Sequence, residues 1–143
     1  MFLRITLTAL VFLPLVANAQ QTTPLEFPWT LVASPDLEKF EVKVGDLRIN
    51  NIALERASRK APAGAATVHE FSASIANRSK ADLHVLVQVI GLKQDKTPTL
   101  SSEGNIDVEN KHTETVRSFA AFSQQAISET AFYYIRVLAT PPD

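Results

Sequence analysis

Hydrophobic and polar residues alternate with a period of two along most of this chain, and no stretch repeats at helical spacing long enough to form an amphipathic helix. The pattern is clearest over residues 67–93. Phe71, Ala73 and Ile75 alternate with Glu70, Ser72 and Ser74, and after the polar Asn77-Arg78-Ser79-Lys80 turn, Leu83, Val85, Val87 and Val89 alternate with His84 and Gln88. Leu86 and Ile90 add apolar groups to the opposite face of the second run, which predicts a central strand covered on both sides. The two runs form either a hairpin or two strands in opposite sheets, with residues 77–81 crossing between them. Both arrangements bury the same side chains.

The remaining segments extend this picture. In residues 20–36, Pro24, Pro28 and Pro35 stand among Leu25, Phe27, Trp29 and Leu31, which predicts an extended arm or first strand with one apolar edge. Val42 and Val44, then Leu47 and Ile49, flank Gly45-Asp46 as a hairpin with a type II′ turn, pairing Val44 with Leu47 and Val42 with Ile49. The apolar phase then slips to Ile52 and Leu54, and a β-bulge at Asn50-Asn51 would restore the facing. Residues 55–66, with Arg56, Arg59, Lys60, Pro62 and Gly64, read as a loop, and residues 99–112 as a short edge strand or a long connection. Val116 to Phe122 predicts a strand, residues 123–128 a turn or brief helical turn, and Thr130 to Thr140 a closing strand rich in aromatic and β-branched residues. The sum is an all-β, antiparallel β-sandwich of about seven strands.

The first 19 residues stand apart from this pattern. Arg4, the apolar run Ile5 to Val16 and Ala17-Asn18-Ala19 have the order of a signal peptide cleaved after Ala19, which predicts an exported protein, periplasmic or extracellular. That apolar run is shorter than the roughly 20 residues a spanning helix needs, so no membrane insertion is expected. Residues 20–36 form the arm or first strand, and residues 37–143 a single sandwich domain. The chain has 143 residues and no cysteine, so the core must hold the fold without disulfides. Of its 14 basic and 15 acidic residues only Arg4 lies in the leader, leaving a net charge of −2 on the mature chain. That charge gives nucleic acid or an anionic membrane no long-range attraction.

The run from Phe71 through Asn77-Arg78-Ser79 into LHVLVQVIGLKQDKT, followed by the aromatic closing strand, resembles the small immunoglobulin-like or fibronectin-III-like domains of exported bacterial proteins. The resemblance covers residues 67–140, without the cysteine pair or the core tryptophan of antibody domains. It implies the fold, with binding or scaffolding as the common use, and transfers no functional residue.

Candidate chemistry is sparse. The three histidines are His69, His84 and His112. His69 shares the parity of inward-facing Phe71, while His84 opposes that of Leu83, so the two fall on different sides and no metal site is expected. There is no G-x-S-x-G for a nucleophilic serine. Glu103, Asn105, Asp107, Glu109 and Asn110 have oxygen ligands suited to calcium but not the order of a calcium loop, and read as a solvated connection. The arm can tuck Phe27 and Trp29 into the core or present them to a partner. In Phe132-Tyr133-Tyr134, alternation sends Tyr133 to one face with Ile135 and Val137, and sends Phe132, Tyr134 and Arg136 to the other. The expected function is therefore a non-catalytic module without a cofactor that binds a protein partner or supports an envelope or secretion assembly through a sheet edge, a loop or the aromatic face, with Phe27, Trp29, Phe132, Tyr134 and Arg136 as candidate contact residues. The alternatives are a small-ligand or carbohydrate-binding module, or a hydrolase with its site at one end of the sandwich.

Overall fold

The alternating runs become strands in a computed structural model that describes residues 24–56 and 68–142. The signal peptide, the start of the arm and the loop cations Arg59 and Lys60 lie outside the described residues. The strands are β1 (Leu25–Ala33), β2 (Val42–Val44), β3 (Leu47–Arg56), β4 (Val68–Asn77), β5 (Leu83–Leu92), β6 (Pro98–Val108), β7 (Thr113–Ala121) and β8 (Phe132–Thr140). They form two antiparallel four-stranded sheets, ordered β1-β8-β5-β6 and β2-β3-β4-β7. The protein is thus an all-β sandwich, with eight strands among the described residues, one more than expected. β4 and β5 lie in opposite sheets, so of the two arrangements open to residues 67–93 the molecule has the crossover and not the hairpin.

Period-two burial builds the core between the sheets. Val85, Val87, Val89, Ile135 and Val137 come from the first sheet and Ile49, Phe71, Ala73, Ile75 and Val116 from the second, all essentially inaccessible to water. Each buried Val, Ile or Phe side chain among these contributes roughly 1.5–3 kcal/mol. β5 is central in its sheet, flanked by β6 and β8.

Local backbone chemistry sets the registers. Val44 pairs with Leu47 and Val42 with Ile49, and Gly45 alone takes positive φ (57°) in the two-residue loop, as a type II′ turn requires. The β3–β4 register shifts between Asn50 and Ala53. Asn51 sits there at φ 52°, a left-handed conformation that asparagine tolerates better than most residues. The bulge turns Ile52 into the core, where it is fully buried.

Three segments differ from the sequence expectation. β6 is an 11-residue strand and not a short one. Its inward positions are Leu100, Ser102, Gly104, Ile106 and Val108, so the period of two is intact but two of its inward residues are not hydrophobic. Ser34–Lys39 forms a 3-10 helix that opens with Pro35 and buries Leu37, where only an extended chain is expected. In β1 the pairing with β8 is irregular between Phe27 and Thr30, so the single apolar edge expected of Leu25, Phe27, Trp29 and Leu31 is split. Leu25 and Phe27 pack against the core, while Trp29 and Leu31 are exposed. Pro28 cannot donate to the ladder, which confines it to bulges and edges. Thr30 Oγ1 donates to its carbonyl at 3.0 Å.

Gly91 is required where β5 passes β6. A Cβ there would lie 2.7 Å from Thr99 Oγ1 and 2.8 Å from Leu100 Cγ, and Thr99 Oγ1 is itself 2.6 Å from Thr130 Oγ1. Gly91→Ala is expected to cost about 1–3 kcal/mol through this overpacking, measured as a lowered urea midpoint at unchanged slope.

Candidate functional site

The side chains on the outer face of the first sheet form cross-strand rows. Leu31 pairs with Tyr134, Tyr134 with Ile90, and Ile90 with Ser101. In the next row the β1 bulge stands beside Arg136, which pairs with Gln88, and Gln88 pairs with Glu103. A third row runs Glu26, Leu138, Leu86 and Asn105. Alternation alone puts these residues on one surface, because their strand neighbours fill the core.

Aromatic and apolar groups dominate the middle of this face. The rings of Trp29 and Tyr134 meet edge to face, with centroids 6.4 Å apart and planes at 77°, a favoured geometry for aromatic pairs. Trp29, Leu31 and Tyr134 are 40%, 41% and 38% exposed, and they are the exposed large hydrophobic side chains among the described residues. Charges around them are mostly paired. Arg136 donates from Nε (3.0 Å) and Nη2 (2.9 Å) to the same Glu26 oxygen. His84 Nδ1 is 2.6 Å from Asp107 Oδ1, and Lys96 Nζ lies 3.4 Å from the centre of the Phe132 ring.

A groove of about 270 Å³ opens on this face beside Trp29, lined by Gln88, Ile90, Ser101 and Glu103. A larger depression of about 450 Å³ lies on the second sheet, lined by Glu38, Asn51, Ser72, Ser74 and Thr115. Size favours the second, but its lining offers no aromatic surface for a tight contact. Orientation of a ligand needs apolar area together with a few polar groups, and the groove beside Trp29 combines both.

The structure brings together four of the five residues expected to meet a partner. Trp29, Phe132, Tyr134 and Arg136 share the outer face, whereas Phe27 turns inward and packs against Phe40, with centroids 6.1 Å apart. Leu31 and Glu103, neither of them expected to meet a partner, join the face. The outward parity of Leu86 and Ile90 is visible in the sequence, but the facing of Leu31 depends on the bulge.

Other candidate chemistry is dispersed. His69 is buried in β4, while His84 pairs with Asp107 in the other sheet. His112 Nδ1 is 3.0 Å from Glu109. Asn110 is tied to Asp82 through both its backbone and side-chain nitrogens. The acids considered for calcium thus point along a strand face or hold separate partners, and among the described residues no three His, Asp or Glu groups converge on one point. The His84–Asp107 pair borders a depression of about 330 Å³ with Thr140, Pro141 and Pro142. At the opposite end of the sandwich, burial pushes the Tyr133 phenol up, partly offset by its hydrogen bond with Ser34. Among the described residues no helix is long and apolar enough to cross a membrane. Comparison with protein-family models, curated proteins and solved structures returned no match.

Proposed function

We propose that the protein is an exported, non-catalytic immunoglobulin-like module that binds a protein partner, or supports an envelope or secretion assembly, through the outer face of its first sheet. The observation that carries this reading is the gathering of Trp29, Leu31 and Tyr134 on one surface. Exposed tryptophan and tyrosine flanked by arginine have the composition of contact hot spots. The Arg136–Glu26 pair at their margin gives the patch the polar rim typical of protein interfaces.

The test compares the mature protein with a Trp29→Ala/Tyr134→Ala double variant in affinity capture from the native envelope fraction. A specific partner is expected to bind the wild type and to bind the variant at least about tenfold more weakly, as loss of aromatic hot spots implies. Thermal melting checks that both proteins are folded. Equal recovery of the partner by the two proteins would move the contact away from this face.

A further inference from the structure

We propose that the groove beside Trp29 seats a cationic side chain, lysine or arginine, of the partner protein, held between the Trp29 ring and the Glu103 carboxylate. The inference rests on the reading of this face as a protein contact surface and adds the chemistry that the contact selects.

The charge balance around the groove carries the argument. Glu26 is neutralised by Arg136, which commits both Nε and Nη2 to it. Lys96 is committed to Phe132. Asp107 lies outside the groove lining and shares a hydrogen bond with His84. Glu103 differs: the contact made to it is the neutral Gln88 amide, which donates to Oε2 at 3.3 Å, and among the described residues no cation pairs with it. The fixed charge in the groove wall is therefore negative and uncompensated.

The aromatic groups have the same preference. The face of an indole or phenol ring carries the negative lobe of its quadrupole and attracts a cation within about 6 Å of the ring centroid. An anionic group would meet both Glu103 and the ring faces unfavourably. Ile90 in the wall gives the methylene stem of a long basic side chain an apolar surface while its charged head reaches Glu103. Leu31, beside Tyr134, extends the apolar surface to residues next to the cation in the partner's chain.

Trp29 is the single tryptophan of the chain, so its fluorescence reports directly on the groove. The mature protein is titrated with a peptide bearing one lysine between two leucines, and with a twin bearing norleucine in place of the lysine. The lysine peptide is expected to bind at least about fivefold more tightly at low salt, and the advantage should shrink as salt screens the exposed carboxylate. Glu103→Gln should reduce the lysine peptide to the affinity of its twin and leave the twin unchanged. Equal affinities for the two peptides, or a lysine preference that survives Glu103→Gln, would overturn the cation assignment while leaving an apolar contact surface in place. Should neither peptide alter Trp29, or only a neutral oligosaccharide do so, both the assignment and the protein-contact reading fail.

Discussion

Asn77→Asp is expected to destabilise the fold by about 3–5 kcal/mol at neutral pH, the cost typical of an uncompensated charge in a buried network. Asn77 is fully buried at the end of β4. Its Nδ2 donates to the carbonyls of Ala81 (2.8 Å) and Val108 (3.1 Å). Its Oδ1 accepts from Ser79 N (3.0 Å) and Ser79 Oγ (2.7 Å). One side chain thus shapes the crossover between the sheets and fastens it to the end of β6. Aspartate has nearly the same size but at neutral pH places an acceptor where two carbonyl oxygens need a donor.

The sign of the pH dependence follows from that geometry. A protonated carboxyl recovers one donor, so the deficit relative to wild type should shrink as pH falls and be largest above the ordinary carboxyl range. Asn77→Ala removes the same bonds without adding a charge and should cost less, about 2–3 kcal/mol. Urea denaturation of the three proteins at pH 7 and pH 4 distinguishes these outcomes. A variant carrying Asn77→Asp that lies within about 1 kcal/mol of wild type at pH 7 would show that this network does not hold the crossover.

The second large effect is a contrast between two aromatic residues. Phe71 is among the largest fully buried side chains, and Phe71→Ala should cost about 3–5 kcal/mol through lost burial and the cavity left behind. Trp29→Ala removes a larger ring from an exposed surface and should cost less than about 1 kcal/mol of stability. Its effect should appear in partner binding instead. If urea midpoints fell equally for the two variants, Trp29 would be a core residue, and the contact face would lose its central group.

Much of the fold can be read from the sequence because a sheet buried on one face leaves a period of two in the chain. The β2–β3 register, the bulge near Asn51 and the outward turn of Tyr134 all follow from that rule. It failed where polarity and position disagree. β6 looks like a connection because Ser102 and Gly104 occupy inward positions. Asn77 looks like a surface turn residue, since nothing local shows that the chain end of β6 will cover it. The candidate site was legible only in part for a related reason. An unbroken alternation gives Phe27 and Trp29 the same face, and it takes the pairing with β8 to place the irregularity between them. Glu103 could be seen as an acid, but its uncompensated charge depends on which strands stand beside β6.

The break in β1 also bears on how molecules of this protein behave when crowded. An edge strand offers its free amides and carbonyls to any other extended chain, and a sticky aromatic surface nearby would make such stacking more dangerous. Here the ladder is divided into Leu25–Phe27 and Thr30–Ala33 by Pro28, which has no amide hydrogen, and Trp29, and β2, the edge of the other sheet that lies beside β1, is only three residues long. On this side of the sandwich neither edge can template a long added strand; the opposite edges, β6 and β7, are longer than either piece of β1. The same irregularity that turns Trp29 toward solvent therefore limits fibre growth from the β1 edge, leaving the exposed face to be recognised by side chains.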